Sequence, residues 1–263
     1  MLCYYQIYLG KKMNNKLPIS CFIIAKNEAD RITKTIKSVE GLVDEIIVID
    51  SGSTDGTQDL VKKLGCKLYF NEWHGFGPQK RFGEEKAKNK WLLNLDADEY
   101  LSNELKVEIR NLFSRKLESN FYSMKVIPIY PNWNKPRLFS AHHLCIRLYN
   151  IDFGRFSPSE VHDSVQTNSK KIIKLKSPVF HKSVRSFSHL IEKEDSYIKM
   201  QIESLKKKNK LFLFSRLIFE FPLSFIKYYF IRRHFTGSFT GLVTALILAF
   251  YRWKRIYLFL RKT

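Results

Sequence analysis

Strand and helix patterns alternate along the first hundred residues, and this alternation limits the folds that the chain can adopt. Apolar, β-rich runs that suit strands covered on both faces occur at 18–25, 45–50, 66–70 and 91–95. Helix patterns separate these runs at 28–39, after a turn at 51–57, and at 79–88. Because strand–helix–strand units place their strands side by side and parallel, the pattern predicts an α/β fold with a mostly parallel sheet.

Polar clusters follow three of these strands at the point where each strand ends. They are Ala-Lys-Asn-Glu at 25–28, Asp-Ser-Gly-Ser at 50–53 and Asp-Ala-Asp at 96–98. Ligands of parallel sheets bind at the carboxyl ends of the strands, so we expect the three clusters to meet in one crevice. Two aspartates this close repel each other when buried unless a cation or a metal-bound polyphosphate lies between them. The last cluster therefore indicates such a ligand.

The charge of the chain is strongly basic and unevenly distributed. The 45 Lys and Arg residues exceed the 25 Asp and Glu residues by 20, which indicates an anionic partner: nucleic acid, a phosphorylated substrate or an acidic membrane surface. Residues 206–263 hold thirteen of the basic residues against one acid, Glu220, together with fifteen aromatic residues. We interpret this tail as amphipathic helices that lie in a membrane interface. A helical hairpin packed on the domain, or a tilted span, is the alternative.

The cysteines and the N-terminus indicate a cytosolic chain. The four cysteines, at positions 3, 21, 66 and 145, have neither metal-ligand spacing nor a disulfide pattern, so we expect reduced thiols. Residues 1–17 are interpreted as an extension and not as a signal peptide, because Lys11 and Lys12 follow its short apolar stretch; Met13 could be the true start. No segment reaches the roughly 18 uninterrupted apolar residues of a confident membrane span.

Four segments in a fixed order carry a resemblance to a known family: IIAKNEADRI, EIIVIDSGSTDGT, GFGPQKRF and LLNLDADE. Together they resemble glycosyltransferase family 2, and most of all its bacterial lipopolysaccharide-core glucosyltransferase branch. The resemblance implies a GT-A, Rossmann-like, mostly parallel sheet flanked by helices, with a C-terminal helical tail that associates with membranes. It divides the chain into the extension, a glycosyltransferase domain at 18–205 and the tail at 206–263. Within the domain, 18–100 is the nucleotide-sugar half and 101–205, with strand-like runs and long loops, is the acceptor half.

The resemblance assigns the Asp-x-Asp pair to the diphosphate of a nucleotide sugar. It implies that Asp98 ligates Mg²⁺ or Mn²⁺ and that Asp96 contacts the ribose or assists the metal. Such an ion neutralises the charge that grows on the leaving diphosphate. The alternative is an acidic cap before the next helix, with Ser102 as its N-cap residue.

Four further residues match the donor site of the family. Asp50 would meet the uracil or the ribose, where a carboxylate accepts hydrogen bonds; the alternative is a turn aspartate that binds local backbone. Ala25 and Glu28 match the nucleotide-binding first loop, although Glu28 could equally complement a helix dipole. Lys80 would contact the nucleotide or the phosphates, or else be a solvated helix lysine.

The acceptor half contains a candidate base. An inverting transferase needs a carboxylate that takes the proton of the acceptor hydroxyl during attack on the anomeric carbon. Related enzymes usually have Val-His-Glu, whereas this chain has Val-His-Asp, so the resemblance assigns the base to Asp163, with Glu160 as a rival. A bond from Asp163 to a loop amide is the non-catalytic alternative. His181 is a candidate contact of the metal or pyrophosphate, or else a structural residue.

The chain is thus expected to be an inverting, metal-dependent enzyme that moves a hexose from a nucleotide sugar to a lipid-linked saccharide. The donor is expected to be UDP-glucose and the acceptor the lipopolysaccharide inner core, at the cytoplasmic face of the bacterial inner membrane, with the chain bound peripherally and without nucleic acid. Two other classes stay open. A nucleotidyltransferase acting on sugar phosphates could use the Asp-x-Asp site, although no glycine-rich phosphate loop lies near the N-terminus. A nucleic-acid-binding protein would explain the charge, although no RNA or DNA module is apparent.

Overall fold

A computed structural model describes residues 16–160, 163–204 and 210–262 of the chain. The chain forms two compact units, and each is described by itself. The first unit comprises Met1–Val126 and Leu144–Phe180, and the second comprises Ile127–His143 and His181–Thr263. This division groups two segments of the expected glycosyltransferase domain with the tail, whereas the sequence analysis divides the chain after residue 205. Most of the expected extension, part of the Val-His-Asp segment and the start of the expected tail lie outside the described residues.

The described strands form an eight-stranded sheet and a two-stranded ribbon. The sheet has the order β3-β2-β1-β4-β7-β6-β10-β5, and β8 pairs with β9 in the ribbon. The strands are β1 Leu17–Ala25, β2 Val43–Asp50, β3 Lys67–Phe70, β4 Trp91–Asp96, β5 Glu99–Leu101, β6 Phe121–Pro128, β7 His143–Asn150, β8 Gly154–Phe156, β9 Val165–Thr167 and β10 Ile173–His181. Strands β1 to β4 pair in parallel, and β7 joins β4 antiparallel. The parallel core predicted from the alternating pattern is confirmed.

Four helices cover this sheet: α1 Ile32–Val39, α2 Thr57–Lys63, α3 Phe76–Lys86 and α4 Asn103–Phe113. Helix α1 begins four residues later than predicted, and Asn27, between β1 and the helix, has the left-handed φ of 57°. Ser102 caps α4, since its Oγ accepts a hydrogen bond of 3.1 Å from the amide of Leu105. The capping role considered for Ser102 is therefore present, although β5 lies between the acidic pair and the helix.

The two faces of the central sheet are both buried, as the continuous apolar runs predict. Along β1, Cys21 and Ile23 belong to one apolar cluster, whereas Phe22 and Ile24 belong to the cluster on the opposite face. Helix α3 lies very close to the second face, because a Cβ atom on Gly83 would approach the Phe22 ring to 2.7 Å. This close approach allows α3 to carry a side chain to the edge of the sheet.

The described part of the second unit contains three α-helices: α5 Phe187–Ser204, α6 Lys210–Ile226 and α7 Ser238–Lys262. A π-helical turn at Lys227–Ile231 and a 3₁₀ turn at His234–Gly237 connect the last two. Buried Glu220 on α6 pairs with Arg216, at 2.6 Å, and with Arg252 of α7, at 3.3 Å. Among the described residues, the stretch His234–Arg261 is long and apolar enough to cross a membrane, which by itself is weak evidence for a span.

Candidate active site

Three strand ends bring the polar clusters of the sequence to one edge of the sheet. Ala25 at the end of β1 is in register with Asp50 at the end of β2. Its neighbour Ile24 is in register with Asp96 at the end of β4. Since the three strands are parallel and adjacent, their carboxyl ends open on the same side. The expected convergence of the three clusters is therefore observed.

The loops after β1 and β2 are joined by hydrogen bonds. The amide of Asn27 donates to Ser53 Oγ at 2.8 Å, and the amide of Glu28 donates to Thr57 Oγ1 at 2.9 Å. The amide of Ala29 donates to Asp55 Oδ2 at 3.0 Å. These bonds satisfy backbone donors where the chain has left the strand and has not yet entered a helix. The first loop is thus held by the second, which gives a fixed rim to the strand ends.

Asp50 is buried, with 1 % of its surface exposed, and its carboxylate accepts hydrogen bonds from its own turn. The amides of Gly52 and Ser53 each donate to it at 2.9 Å, and Gln58 Nε2 donates at 2.7 Å. The Ser53 hydroxyl donates to the other oxygen. Three of these donors share Oδ1 and one reaches Oδ2, so a ligand would bind at the remaining acceptor position of Oδ2 or replace one of the donors. The geometry matches the turn role considered as the alternative, and the nucleotide role stays a prediction.

Lys80 lies between two carboxylates, one of which the sequence analysis assigned to the donor and the other to the acceptor. Its Nζ is 2.5 Å from Asp163 Oδ2 and 2.9 Å from Asp96 Oδ1, and it lies 5.1 Å from the centre of the Phe156 ring. Only 2 % of the residue is exposed, so the alternative of a solvated lysine is wrong. A buried ammonium needs paired carboxylates to offset its lost hydration. Lys80 therefore links the donor-side Asp96 to the candidate base Asp163.

The loop that carries the candidate base packs against the start of α3. The Glu160 carbonyl accepts a hydrogen bond of 2.9 Å from the amide of Phe76. Gly75 has a φ of 106°, and a Cβ atom there would approach Glu160 Cα to 2.5 Å, so glycine is required at this contact. Glu160 itself is exposed, whereas the Asp163 carboxylate reaches Lys80. This geometry favours Asp163 over Glu160 as the base.

Arg147 on β7 is a buried residue of the site that sequence analysis did not identify. Its Nη1 donates to Asn94 Oδ1 at 2.7 Å, and its Nη2 contacts Asp96 Oδ2 at 3.3 Å and the Glu99 carboxylate. Burial alone would lower the pKa of Arg147, but the charges of Glu99 and Asp96 outweigh burial and raise it. The sequence does mark this position, since an arginine interrupts the apolar run LCIRLYN.

Asp98 and Glu28 both face Arg31. Arg31 Nε pairs with the Glu28 carboxylate, and its Nη1 is 3.6 Å from Asp98 Oδ2. The Asp98 side chain keeps 16 % of its surface exposed at the rim. Arg31 was not among the residues considered from the sequence, although it stands three residues after Glu28 in the first motif. Glu28 is thus part of an ion pair at the start of α1, and its nucleotide role stays a prediction.

The described residues contain no group of three or more His, Cys, Asp and Glu side chains that could hold a metal ion by themselves. A divalent cation still fits Asp98, because Mg²⁺ is commonly held by one or two carboxylates together with substrate phosphates and water. His181 ends β10 in the second unit, where its carbonyl accepts a 2.9 Å hydrogen bond from the amide of Ile129. Its role as a metal or pyrophosphate contact stays a prediction.

Comparison with known proteins gives the class to which this fold and site belong. The family model described as glycosyl transferase family 2 matches residues 20–168. An uncharacterized glycosyltransferase of Rickettsia felis is 40% identical over 248 residues, which cover 90% of this chain and 88% of that protein. The chain therefore belongs to glycosyltransferase family 2, as its resemblance predicted.

Two further proteins, less similar to this chain, have more specific names. The lipopolysaccharide core biosynthesis glycosyltransferase LpsC of Rhizobium meliloti is 28% identical over 242 residues, covering 90% of this chain and 89% of LpsC. The crystal structure of S. aureus TarS in complex with UDP-GlcNAc is 17% identical, covers 88% of this chain and 80% of that chain, and superposes with a TM-score of 0.48. The GT-A fold class predicted for this chain is confirmed by its family and its sheet, and membrane association by the tail stays a prediction.

Proposed function

We propose that this family 2 glycosyltransferase transfers a hexose from a nucleotide diphosphate sugar to a lipid-linked saccharide, with inversion at the anomeric carbon. The observation that carries the proposal is the position of the Lys80 ammonium between Asp96 and Asp163. It joins the carboxylate of the Asp-x-Asp motif to the carboxylate of the acceptor-side motif. The similarity to a relative named for lipopolysaccharide core biosynthesis supports the lipopolysaccharide core as the acceptor. The inner core and UDP-glucose are the acceptor region and the donor that the family resemblance implies.

Asp163 acts as the general base in the proposed reaction. The acceptor hydroxyl oxygen forms a bond to the anomeric carbon while the bond from that carbon to the diphosphate oxygen breaks. The hydroxyl proton passes to the Asp163 carboxylate, and the diphosphate leaves with the bonding electron pair. Lys80 holds the carboxylate in one orientation before the acceptor arrives, which reduces the entropy lost in reaching the reactive geometry.

The donor side of the site is formed by Asp96, Asp98 and their cationic neighbours. Arg147 and Lys80 orient the Asp96 carboxylate from two sides, so its oxygens keep a defined direction at the strand end. Asp98 at the rim would hold Mg²⁺ or Mn²⁺, which supplies positive charge for the diphosphate when it is bound. Arg31 contributes a further positive charge beside Asp98.

We further propose that α6 and α7 bind the cytoplasmic face of the bacterial inner membrane, which brings the enzyme to a lipid-linked acceptor. Four side chains of α6 support this, because each is mostly exposed: Phe214 at 60 %, Ile218 at 62 %, Phe219 at 59 % and Leu223 at 62 %. Apolar surface of this kind within the basic segment 206–263 suits the boundary between headgroups and acyl chains. Flotation of the protein with anionic vesicles tests this part of the proposal, and a protein that stays in the dense fraction contradicts it.

Product analysis tests the reaction itself. The protein is incubated with UDP-glucose, UDP-galactose, UDP-GlcNAc and GDP-mannose, each with and without core-truncated lipopolysaccharide. We expect acceptor-dependent release of the nucleoside diphosphate from one of these donors, and a heavier acceptor by mass spectrometry. Release of pyrophosphate from a nucleoside triphosphate and a sugar phosphate would instead identify a nucleotidyltransferase. Binding of RNA or DNA that vesicles cannot displace would favour the nucleic-acid alternative.

A further inference from the structure

A pocket of about 200 Å³ lies within the second unit, separate from the residues assigned to glycosyl transfer. Its apolar wall is formed by Ile129, Val184, Phe187, Leu190 and Leu248. A cavity needs roughly 10–15 Å³ of such volume to hold one water molecule, so this pocket can hold a group of several heavy atoms. This is enough for the first part of an acyl chain and too little for a whole lipid.

The polar side of the pocket carries a buried guanidinium. Arg137 lines the pocket with 7 % of its surface exposed. Its Nη1 donates to the carbonyl of Arg233 at 3.0 Å, and its Nη2 donates to the carbonyl of Arg232 at 2.9 Å. Burial lowers the pKa of Arg137, and no carboxylate of the described residues is within ion-pair distance of it. In the described part of the chain, the charge of Arg137 is therefore balanced by these carbonyl dipoles and by Tyr130, whose ring centre lies 5.9 Å from the guanidinium carbon, and not by a carboxylate.

A second cation lies at the opening of the same pocket. Arg232 is exposed there, beside His234, whose Nδ1 is 2.6 Å from the hydroxyl oxygen of Tyr130. Burial, and then the charges of Arg137 and Arg232, lower the pKa of His234 to about 4. The imidazole is therefore neutral near pH 7, and the positive charge of the pocket comes from the two guanidinium groups.

No acidic side chain of the described lining stands beside the guanidinium groups of the pocket. None of its described lining residues is Asp or Glu. Glu220 is engaged by Arg216 and Arg252, and Asp195 by Lys254. The pocket thus combines an apolar wall with two positive charges, which is a complementary surface for an anion attached to a hydrocarbon.

A purely structural role explains only part of this arrangement. Arg137 caps the carbonyls that end the π-helical turn, a position where a cation is favourable, and this accounts for its burial. Capping uses two of the five guanidinium donors. It does not account for the second cation, Arg232, or for the open apolar wall opposite it.

We propose that this pocket binds a phosphate-bearing lipid. The phosphate contacts the Arg137 and Arg232 guanidinium groups, and the beginning of one acyl chain lies against Leu190 and Leu248. The proposal does not depend on which sugar the enzyme transfers. It predicts a specific lipid site in addition to the general attraction of a basic, aromatic surface for membranes.

Calorimetric titration of the full-length protein with monomeric dihexanoyl-phosphatidic acid tests the proposal. We expect saturable binding that dihexanoyl-phosphatidylcholine and inorganic phosphate do not reproduce. Arg232→Gln removes the guanidinium group but keeps the carbonyl that Arg137 contacts, and we expect it to weaken binding about tenfold or more, because a charge-assisted hydrogen bond to the phosphate is lost. Leu248→Trp should also weaken binding by filling the pocket.

Matched controls keep the charge and size changes but move them away from the pocket. Arg261→Gln removes an exposed arginine, and Leu246→Trp enlarges an exposed leucine on the same helix. Equal binding by all four variants overturns the proposal, because the lipid would then bind elsewhere on the apolar surface. Equal binding of inorganic phosphate overturns the lipid part and identifies a phosphate site.

A measurement on the unmodified protein covers the case in which the pocket variants do not fold. A ligand that binds only the folded state raises the unfolding temperature. We expect phosphatidic acid to raise it and phosphatidylcholine of the same chain length to leave it unchanged. An equal effect of the two lipids, or no effect of either, contradicts a pocket that recognises phosphate charge.

Discussion

The two units bury their charged and apolar side chains in opposite ways. In the first unit, apolar residues fill both faces of the sheet, and the charged residues meet at the strand ends as Lys80 and Arg147 with their carboxylates. On α6 of the second unit, Glu220 is 8 % exposed, whereas Ile218 and Leu223 are each 62 % exposed. The pattern of the first unit is typical of a domain that is surrounded by water. The pattern of α6 is typical of a surface that contacts apolar material, because large exposed apolar surfaces are unfavourable in water.

This difference teaches that apolar composition alone does not indicate a core. In the first unit, the buried cations Lys80 and Arg147 orient the Asp96 carboxylate at the end of β4, while buried Glu45 and Glu84 form other ion pairs, with Lys67 and Arg155. The second unit uses an ion pair, Glu220 with Arg252, to join two helices while apolar side chains stay outside. The predictions below test each half of this contrast, from the largest expected effect to the smallest.

Replacing the candidate base should have the largest effect. We expect Asp163→Asn to lower kcat by a factor on the order of 10² to 10⁴ and to leave the donor KM nearly unchanged, because the amide cannot take the acceptor proton. Steady-state kinetics with acceptor present measures both constants. Asp152→Asn, which changes an exposed aspartate paired with Lys90, is the matched control and should keep full activity. If Glu160→Gln causes the loss and Asp163→Asn does not, the base is Glu160.

Removal of the rim carboxylate should have the next largest effect. Asp98→Asn is expected to reduce transfer by about 10²-fold or more, since a catalytic metal contributes several kcal/mol of charge stabilisation. Chelation with EDTA should reduce the activity of the unmodified enzyme similarly, and Mg²⁺ or Mn²⁺ should restore it. Circular dichroism checks the fold, and exposed Asp59→Asn is the control. Full activity in excess EDTA would exclude the role given to Asp98.

Breaking the buried Arg147 network tests whether the charges of the first unit are structural as well as catalytic. Arg147→Gln leaves Glu99 without its cation, and removal of one partner of a buried ion pair costs about 3–5 kcal/mol of unfolding free energy. Arg147→Lys should recover part of this loss. Urea unfolding gives the free energies, and Arg115→Gln on the exposed surface should change them by less than about 0.5 kcal/mol. Equal stability of Arg147→Gln and Arg115→Gln would contradict the network.

The smallest effect is expected from a single exposed apolar residue of the second unit. Leu223→Ser should weaken binding to anionic vesicles by about 1–2 kcal/mol, because 62 % of the leucine is exposed and full burial of such a side chain contributes about 1.5–3 kcal/mol. Leu144→Ser changes a leucine that is 50 % exposed on β7 and should not alter binding. Added salt should weaken binding only in part, because salt screens headgroup attraction but not apolar burial. Identical vesicle binding by the two variants would show that the apolar face of α6 does not contact the membrane.

Much of the parallel sheet could be predicted from the sequence. Continuous apolar runs marked β1, β2 and β4 to within one or two residues at each end, because strands buried on both faces have a strong local pattern. The start of α1 was less predictable. It depends on hydrogen bonds from the amides of Glu28 and Ala29 to Thr57 and Asp55, which belong to another loop. The strand β5 was missed because three residues carry too little periodicity to be recognised.

The site was only partly predictable. The motifs identified Asp96, Lys80 and Asp163 separately, but not that one ammonium lies between the two carboxylates. Lys80 and Asp163 are 83 positions apart, and no local pattern reports a contact over that distance. Arg147 was missed for the same reason: its meaning depends on Glu99 and Asp96 of neighbouring elements.

The sequence by itself determined the α/β class, the acids that end the parallel strands, and the basic and aromatic character of residues 206–263. These properties are local, since they follow from residue type and from periods of two or 3.6 residues. Only the tertiary structure decided that Lys80 is buried between Asp96 and Asp163, and that α6 turns Glu220 inward and Phe214 and Phe219 outward. Both depend on which distant surfaces pack together, because a charge can be buried only where packing also supplies its partner.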